Sequence, residues 1–142
     1  MIENTLFFLV GAFFAYATIG SLFAGIRLLA NKTFLSFHQQ VAGTLWSDIP
    51  EGIRLLILAL MRVAGMGALV TAVLSFLNVF PSVFAVNRLL SVLIGGCTAM
   101  YWLAVFIITF YVHKRTNANT PFKSSFSVFV VALIGTIARM VL

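Results

Sequence analysis

Residues 89–112 decide the fold, and they read LLSVLIGGCTAMYWLAVFIITFYV, without a formal charge. An α-helix rises about 1.5 Å per residue, so roughly 20 apolar residues cross the hydrocarbon core of a bilayer. The stretch is too long and too apolar to be covered inside a domain of 142 residues. It is therefore predicted to be a transmembrane helix.

Three more stretches have the same character, at residues 5–27, 53–77 and 122–141. The last has only 15 uncharged residues, 124–138, but Lys123 and Arg139 can extend their charged ends outward. The whole chain is 62% hydrophobic and 8% charged, against about 25% charged in soluble domains. The sequence thus predicts a single all-α membrane domain, 1–142, with four transmembrane helices. The alternative is that 122–141 lies on the surface, which leaves three spans.

The segment 33–47 is of a different kind, because it is too polar to span. At 100° per residue its apolar side chains share one side, which predicts an amphipathic helix at the interface, although Gly43 weakens it. Just after it, Asp48 and Glu51 fit a capping box and Pro50 fits a first helical turn.

The basic residues are distributed unevenly between the two sides of the predicted bundle. One side holds Arg88 and Arg139, and the other holds Arg27, Lys32, Arg54, Lys114, Arg115 and Lys123. Positive loops stay in the cytoplasm, so both termini are predicted outside it. The net charge of +6 is scattered singly around apolar runs, which favours lipid headgroups over nucleic acid as partner. Lys114, Arg115 and Lys123 could contact acidic headgroups or form an ordinary positive-inside loop.

Small residues recur every four positions in two of the predicted spans. They are Ala17, Ser21 and Gly25 in the first, and Ala64, Ala68 and Ala72 in the second. Such stripes let helices approach closely in lipid, within one chain or between copies. We expect both stripes to face other helices.

Catalytic signatures are absent from the sequence. No Asp or Glu lies in the middle of a predicted span, and there is no phosphate-binding glycine loop, HExxH or nucleophile elbow. The single cysteine, Cys97, cannot form an intramolecular disulfide. No metal site is predicted, and the pattern favours a protein that is not an enzyme.

Two histidines, His38 and His113, fall on the same predicted side of the membrane. Two helix-borne histidines can ligate haem b. Alternatively, His38 reaches toward headgroups and His113 caps a helix C-terminus. The second interpretation is preferred, so no cofactor is predicted.

Arg62 is the sharpest single feature, because it lies eight residues beyond Arg54 in an apolar run. A base at that depth normally faces the bundle or a wet cavity. We expect Arg62 to point inward, beside Gly65 and above His38 and Trp46, and to meet helix-end carbonyls or a bound anion. In the alternative, the span begins at Val63 and Arg62 lies at the boundary.

Three motifs carry a resemblance to a known group of proteins. They are His38 followed by Trp46, the run 60–67 (LMRVAGMG), and the run 115–122 (RTNANTPF). The chain resembles a group of small bacterial membrane proteins with four predicted spans and no assigned activity. The resemblance implies the architecture and a bacterial inner membrane.

Two classes of function stay open at this point. The first is a non-enzymatic module: an accessory or scaffold subunit, a homo-oligomer, or a binder of lipid or another amphiphile. The second is a quinone- or haem-binding redox subunit, or a small permease for an anionic solute. Either would have membrane lipids as partners and would act as a homo-oligomer or as a subunit of a larger membrane complex.

Overall fold

The computed structural model describes residues 2–81 and 84–141, without the side chains of residues 2–4 and 6. In these ranges the chain forms five α-helices and one 3-10 turn, and no strand. The helices are α1 (Ile2–Ala30), α2 (Ser36–Ala42), α3 (Glu51–Val79), α4 (Arg88–Thr116) and α5 (Phe122–Val141). All except α2 are long and apolar enough to cross a membrane. The chain is an all-α, multi-pass membrane protein, and the four-span prediction is confirmed, including the last and shortest helix.

Local chemistry sets the helix ends. The Asn87 side chain accepts a hydrogen bond from the Leu90 amide at 2.8 Å and so caps the start of α4. Asn117 ends the same helix in the left-handed conformation, with φ +52°. At α3 the predicted Asp48 cap is wrong, because the helix begins only at Glu51, after Pro50. Asp48 lies in the preceding 3-10 turn and accepts from the Ser47 hydroxyl at 2.9 Å.

The interfacial segment is helical over a shorter range than the predicted 33–47. Gly43 adopts a φ of +62° and ends α2 after seven residues, because glycine enters the left-handed region without steric cost. The Gln40 side chain accepts from the Asn119 amide at 2.9 Å. This hydrogen bond ties α2 to the loop between α4 and α5.

The four long helices form an antiparallel, up-and-down bundle. Helix α1 packs most extensively on α3, and α4 packs most extensively on α5. Helices α1 and α4 lie diagonally opposite and meet in the centre, where Trp102 Nε1 donates to Ser21 Oγ at 2.8 Å. A small core surrounds this contact: Ala17, Ala99, Trp102, Val128 and Ala132.

Small residues lie where α1 meets α3. Ala17, Ser21 and Gly25 are buried, and a Cβ added to Gly25 would lie 3.0 Å from the carbonyl oxygen of Gly65. On α3, Ala68 and Ala72 are buried but Ala64 is exposed. A strict four-residue spacing drifts around a helix of 3.6 residues per turn. For that reason Gly65, and not Ala64, continues the buried face of α3.

The bundle has two halves, which we name after one arginine each. In the Arg139 half, α1 begins and α5 ends, and Gly11 lies beside the Val79 carbonyl. In the Arg62 half, α1 ends and α5 begins, and Gly25 lies beside Gly65. The two halves differ in what fills their interior.

Candidate functional site: a buried polar cluster at Arg139

Arg139 is the one cation that the described residues bury inside the bundle. It lies in the last turn of α5 with only 6% of its surface exposed. Its Nη2 donates to the Asn78 carbonyl oxygen at 3.3 Å, and the guanidinium carbon lies 4.9 Å from the centre of the Phe7 ring. The buried Nε has no hydrogen-bond partner. One N–H donor of Arg139 is therefore open.

Asn78, whose carbonyl oxygen accepts from Arg139, is hydrogen-bonded through its side chain to Ser91, and both residues are fully buried. Asn78 Nδ2 donates to the Ser91 carbonyl at 2.9 Å, and Ser91 Oγ donates to Asn78 Oδ1 at 2.7 Å. One and two turns deeper, the hydroxyls of Ser75 and Thr98 lie 3.1 Å apart. Helices α3 and α4 are thus joined by side-chain hydrogen bonds in this half.

The described residues compensate the charge of Arg139 only in part. Asn78 is in the last turn of α3, so the guanidinium interacts favourably with the negative end of that helix. The sequence has three acids, Glu3, Asp48 and Glu51. Asp48 and Glu51 lie at the Arg62 end, and the Glu3 side chain is outside the described residues. No described carboxylate therefore neutralises Arg139.

The chemistry of this cluster suits the binding of an anion. A guanidinium fork binds carboxylate or phosphate through paired charge-assisted hydrogen bonds. The described contacts of Arg139 are with the Asn78 carbonyl oxygen and the Phe7 ring. Such a set can hold an anion on the guanidinium.

Arg62 is placed differently from the expectation. Its side chain is exposed on the outer surface of α3, so the prediction that it points into the bundle is wrong. Met61 and Gly65 occupy the inner face, and residue 62 lies 100° away from residue 61 around the helix. The space beside Gly65 is filled by Leu28 and Leu29 of α1, whose atoms come within about 3 Å of an added Cβ. Arg62 is thus level with the last turn of α1.

His38 and Trp46, expected beneath Arg62, belong to an aromatic cluster in the α2 segment. The His38 ring lies 4.1 Å from that of Phe37, and Trp46 lies 4.8 Å from Phe34. His38 Nδ1 accepts from the Leu35 amide at 3.4 Å, at the start of α2. Burial among these rings lowers the pKa of His38 below its usual 6.5.

His113 closes the loop between α4 and α5. Its Nδ1 lies 2.8 Å from the Ala118 carbonyl, and its ring stacks on Phe122 at 4.5 Å. Both histidines thus have partners within their own segments. Among the described residues, no group of three His, Cys, Asp or Glu side chains could hold a metal ion. The basic residues of this end, Lys114, Arg115 and Lys123, are exposed.

The run 115–122, which carries the family resemblance, forms a compact turn. The Ala118 amide donates to Thr116 Oγ1 at 3.3 Å, and Thr120 Oγ1 donates to the Thr109 carbonyl at 2.9 Å. Ala118 and Thr120 are buried. The polar residues of this motif therefore have a structural role in joining α4 to α5.

The sequence patterns did not single out Arg139, Asn78 and Ser91 as a site. The signal was present, because Ser75 and Asn78 are three residues apart on α3, and Ser91 and Thr98 are seven apart on α4. At these spacings polar side chains share one face of an otherwise apolar helix. Arg139 was assigned only to the end of its span.

Fold and interior together define a multi-pass membrane protein with a buried cationic, hydrogen-bonded cluster. No family model, no curated protein and no solved structure matches this chain. The resemblance to small bacterial four-span proteins therefore stays a prediction. The function is inferred from the site alone.

Proposed function

We propose that the protein is a non-enzymatic membrane module that binds an anionic amphiphile in the Arg139 half. One observation carries this proposal: the Arg139 guanidinium is buried, yet its Nε has no partner. An unpaired buried donor is costly, by about 1–3 kcal/mol and more for a charged group. A bound carboxylate or phosphate would remove that cost and neutralise the charge.

A purely structural role for Arg139 explains less of this geometry. Capping of α3 uses one bond, from Nη2 to the Asn78 carbonyl, out of the five N–H donors of the side chain. A neutral amide such as glutamine could also donate to that carbonyl, without a charge to desolvate. The unpartnered Nε and the positive charge favour an anionic ligand over a cap alone.

The test is retention of an amphiphile by the purified protein. We expect native mass spectrometry in neutral detergent to detect bound oleate or phosphatidylglycerol on the wild type. Arg139→Gln should reduce retention at least about tenfold. Arg139→Lys should restore it only in part, because lysine lacks the planar fork. The matched control is Arg88→Gln, which removes an exposed arginine at the same end.

Two outcomes would contradict the proposal. Equal retention by Arg139→Gln and the wild type would separate the ligand from this arginine. Glu3→Gln provides the second, since Glu3 is the only acid before Asp48. If Glu3→Gln lowers thermal stability as much as Arg139→Gln does, the partner of the guanidinium is Glu3. The site would then be occupied by the protein itself.

The orientation is proposed from the distribution of basic residues. Arg27, Lys32, Lys114, Arg115 and Lys123 are exposed at the Arg62 end. The positive-inside rule places this end in the cytoplasm of a bacterium and the Arg139 half toward the outer face of the inner membrane. In a Cys97→Ala background, Thr5→Cys should react with an impermeant thiol reagent on intact cells. Asn119→Cys should be protected, and the reverse pattern would invert the orientation.

A further inference from the structure

A furrow runs along the outer surface between α1 and α3 in the Arg139 half. Its volume is about 210 Å³, and it is lined by apolar residues: Phe7, Phe8, Gly11, Ala12, Ala15 and Phe80. Along α1 it extends from Phe7 to Ala15, about 12 Å at 1.5 Å per residue. The small side chains in the middle make the depression, and the phenylalanine rings border it.

Phe7 belongs to both the furrow and the Arg139 cluster. It lines the furrow, and its ring lies 4.9 Å from the guanidinium carbon of Arg139. Phe7 itself is half-buried. An acyl chain lying in the furrow would therefore end beside Phe7, and only the ring of Phe7 would separate it from the unpartnered Nε–H of Arg139.

We propose that the ligand is a single-chain carboxylate, with its acyl chain in this furrow and its carboxylate on Arg139. This inference rests on the proposed function and specifies its ligand. The furrow has a cation nearby for the charge of such a ligand, because Arg139 lies against the Phe7 ring that lines it. A carboxylate accepts two parallel N–H bonds from a guanidinium fork.

The head group is the part of the ligand that decides affinity. Lipid tails are as apolar as the furrow, so transfer of an acyl chain from the bilayer to the furrow yields no hydrophobic gain. Selection must then come from the charge and size of the head group. Arg139 is 94% buried, given its exposure of 6%. A carboxylate carries no substituent beyond its oxygens, whereas a phosphodiester brings a second ester arm, so the carboxylate needs less space beside the guanidinium.

The experiment measures binding of spin-labelled stearate to the full chain in nanodiscs of phosphatidylcholine. We expect oleate to displace the probe, and oleyl alcohol, which has the same chain without the charge, to fail. Phosphatidylglycerol should compete at least about tenfold more weakly than oleate. Arg139→Gln should abolish specific binding of the probe.

Two exposed alanines provide a matched pair for the furrow. Ala12→Phe fills it, and Ala59→Phe places the same bulk on the lipid-facing surface of α3 in the other half. We expect Ala12→Phe to weaken binding at least about tenfold and Ala59→Phe to leave it unchanged. Since both positions face lipid, both variants should fold, as thermal unfolding in detergent will verify.

Each remaining outcome has a definite meaning. If Arg139→Gln abolishes binding and Ala12→Phe does not, the acyl chain does not lie in the furrow, and the proposed function stands. If phosphatidylglycerol competes better than oleate, the ligand is not a single-chain carboxylate, and the proposal of anion binding stands. If the wild type binds neither the probe nor phosphatidylglycerol, the ligand and the proposed function are both overturned.

Discussion

The helices are held together by different contacts in the two halves of the bundle. In the Arg139 half, buried hydrogen bonds join α3 to α4, through Asn78 with Ser91 and Ser75 with Thr98. In the Arg62 half, α1 and α3 come together through Gly25 and Gly65, which contact each other's backbone. Since lipid removes the hydrophobic drive for helix association, close packing and interhelical hydrogen bonds hold the helices together. The polar contacts of the Arg139 half lie beside the buried cation.

The two arginines show the same contrast. Both arginines lie within or beside apolar runs. Arg62 lies deeper in its run, which predicts that Arg62 is the buried one. The structure exposes Arg62 and buries Arg139. The position of a side chain around its helix, rather than its distance from the helix end, decides whether the bundle or the membrane surrounds it.

The largest effect should come from adding bulk in the Arg62 half. Gly25→Leu forces a side chain into Leu69 and toward the Gly65 carbonyl, where an added Cβ already lies 2.7 and 3.0 Å from its neighbours. We expect a loss of about 3 kcal/mol in unfolding free energy, at the upper end for overpacking. Thermal unfolding in detergent measures it. Gly96→Leu is the control, because an added Cβ there meets no atom within 4 Å.

A smaller effect should follow removal of the polar link in the Arg139 half. Asn78→Leu leaves Ser91 without its two partners and should cost about 2 kcal/mol. The double variant Asn78→Leu with Ser91→Ala should cost less than the sum of the single changes. The expected coupling is about 1 kcal/mol, typical of hydrogen bonds within a membrane. Additive effects would mean that this half is held by packing alone.

A pH-dependent effect is expected at the Arg62 end. The lowered pKa of His38 means that its neutral form is favoured when α2 is in place. The unfolded segment binds a proton near pH 6.5, so the stability contributed by His38 is present above that pH and is lost as the pH falls below it. Protonated Nδ1 can no longer accept from the Leu35 amide.

Trp46 reports this change, because its ring contacts Phe34 in the same cluster. Acidification from pH 7.5 to 5 should shift the Trp46 emission, recorded in a Trp102→Phe background. His38→Gln should remove the shift while His113 is still present. If the emission shift persists in His38→Gln, another group titrates, and the structure of α2 does not depend on the protonation of His38.

The smallest effect should be that of Arg62. Arg62→Gln changes an exposed side chain without a described partner, so stability should change by less than about 0.5 kcal/mol. Amphiphile binding should be unchanged. If Arg62→Gln loses the amphiphile and Arg139→Gln retains it, the binding site lies in the Arg62 half and not in the Arg139 half.

The fold was largely predictable because lipid imposes a simple rule on the sequence. Uncharged runs near 20 residues mark helices: the predicted 122–141 coincides with α5, and the predicted 89–112 differs from α4 by one and four residues at its ends. Helix ends and short elements were less predictable. Gly43 stops α2 and Pro50 delays α3, whereas the sequence offered Asp48 as an equally good capping residue.

The candidate site was not predicted, for a physical reason. Lipid-facing and core-facing sides of these helices are both apolar, so the sequence carries little information on which side faces inward. Arg139 is 48 residues from Ser91 and 61 from Asn78, and only the packing of α5 on α1 and α4 brings them together. The histidines and Arg62 stood out because they are rare residue types, and none of them lies in the cluster.

The unequal lengths of the helices have a consequence for the surrounding bilayer. Helix α5 begins beside Phe110 and His113, whose rings contact Phe122, so the basic end of α4 extends beyond it. Helix α3 likewise continues past the end of α1, with Leu55 and Leu56 exposed. Helix α5 measures about 30 Å over its length, whereas the uncharged run 89–112 of α4 measures about 36 Å. A bilayer of uniform thickness does not match both lengths, and each Å of mismatch costs a fraction of a kcal/mol.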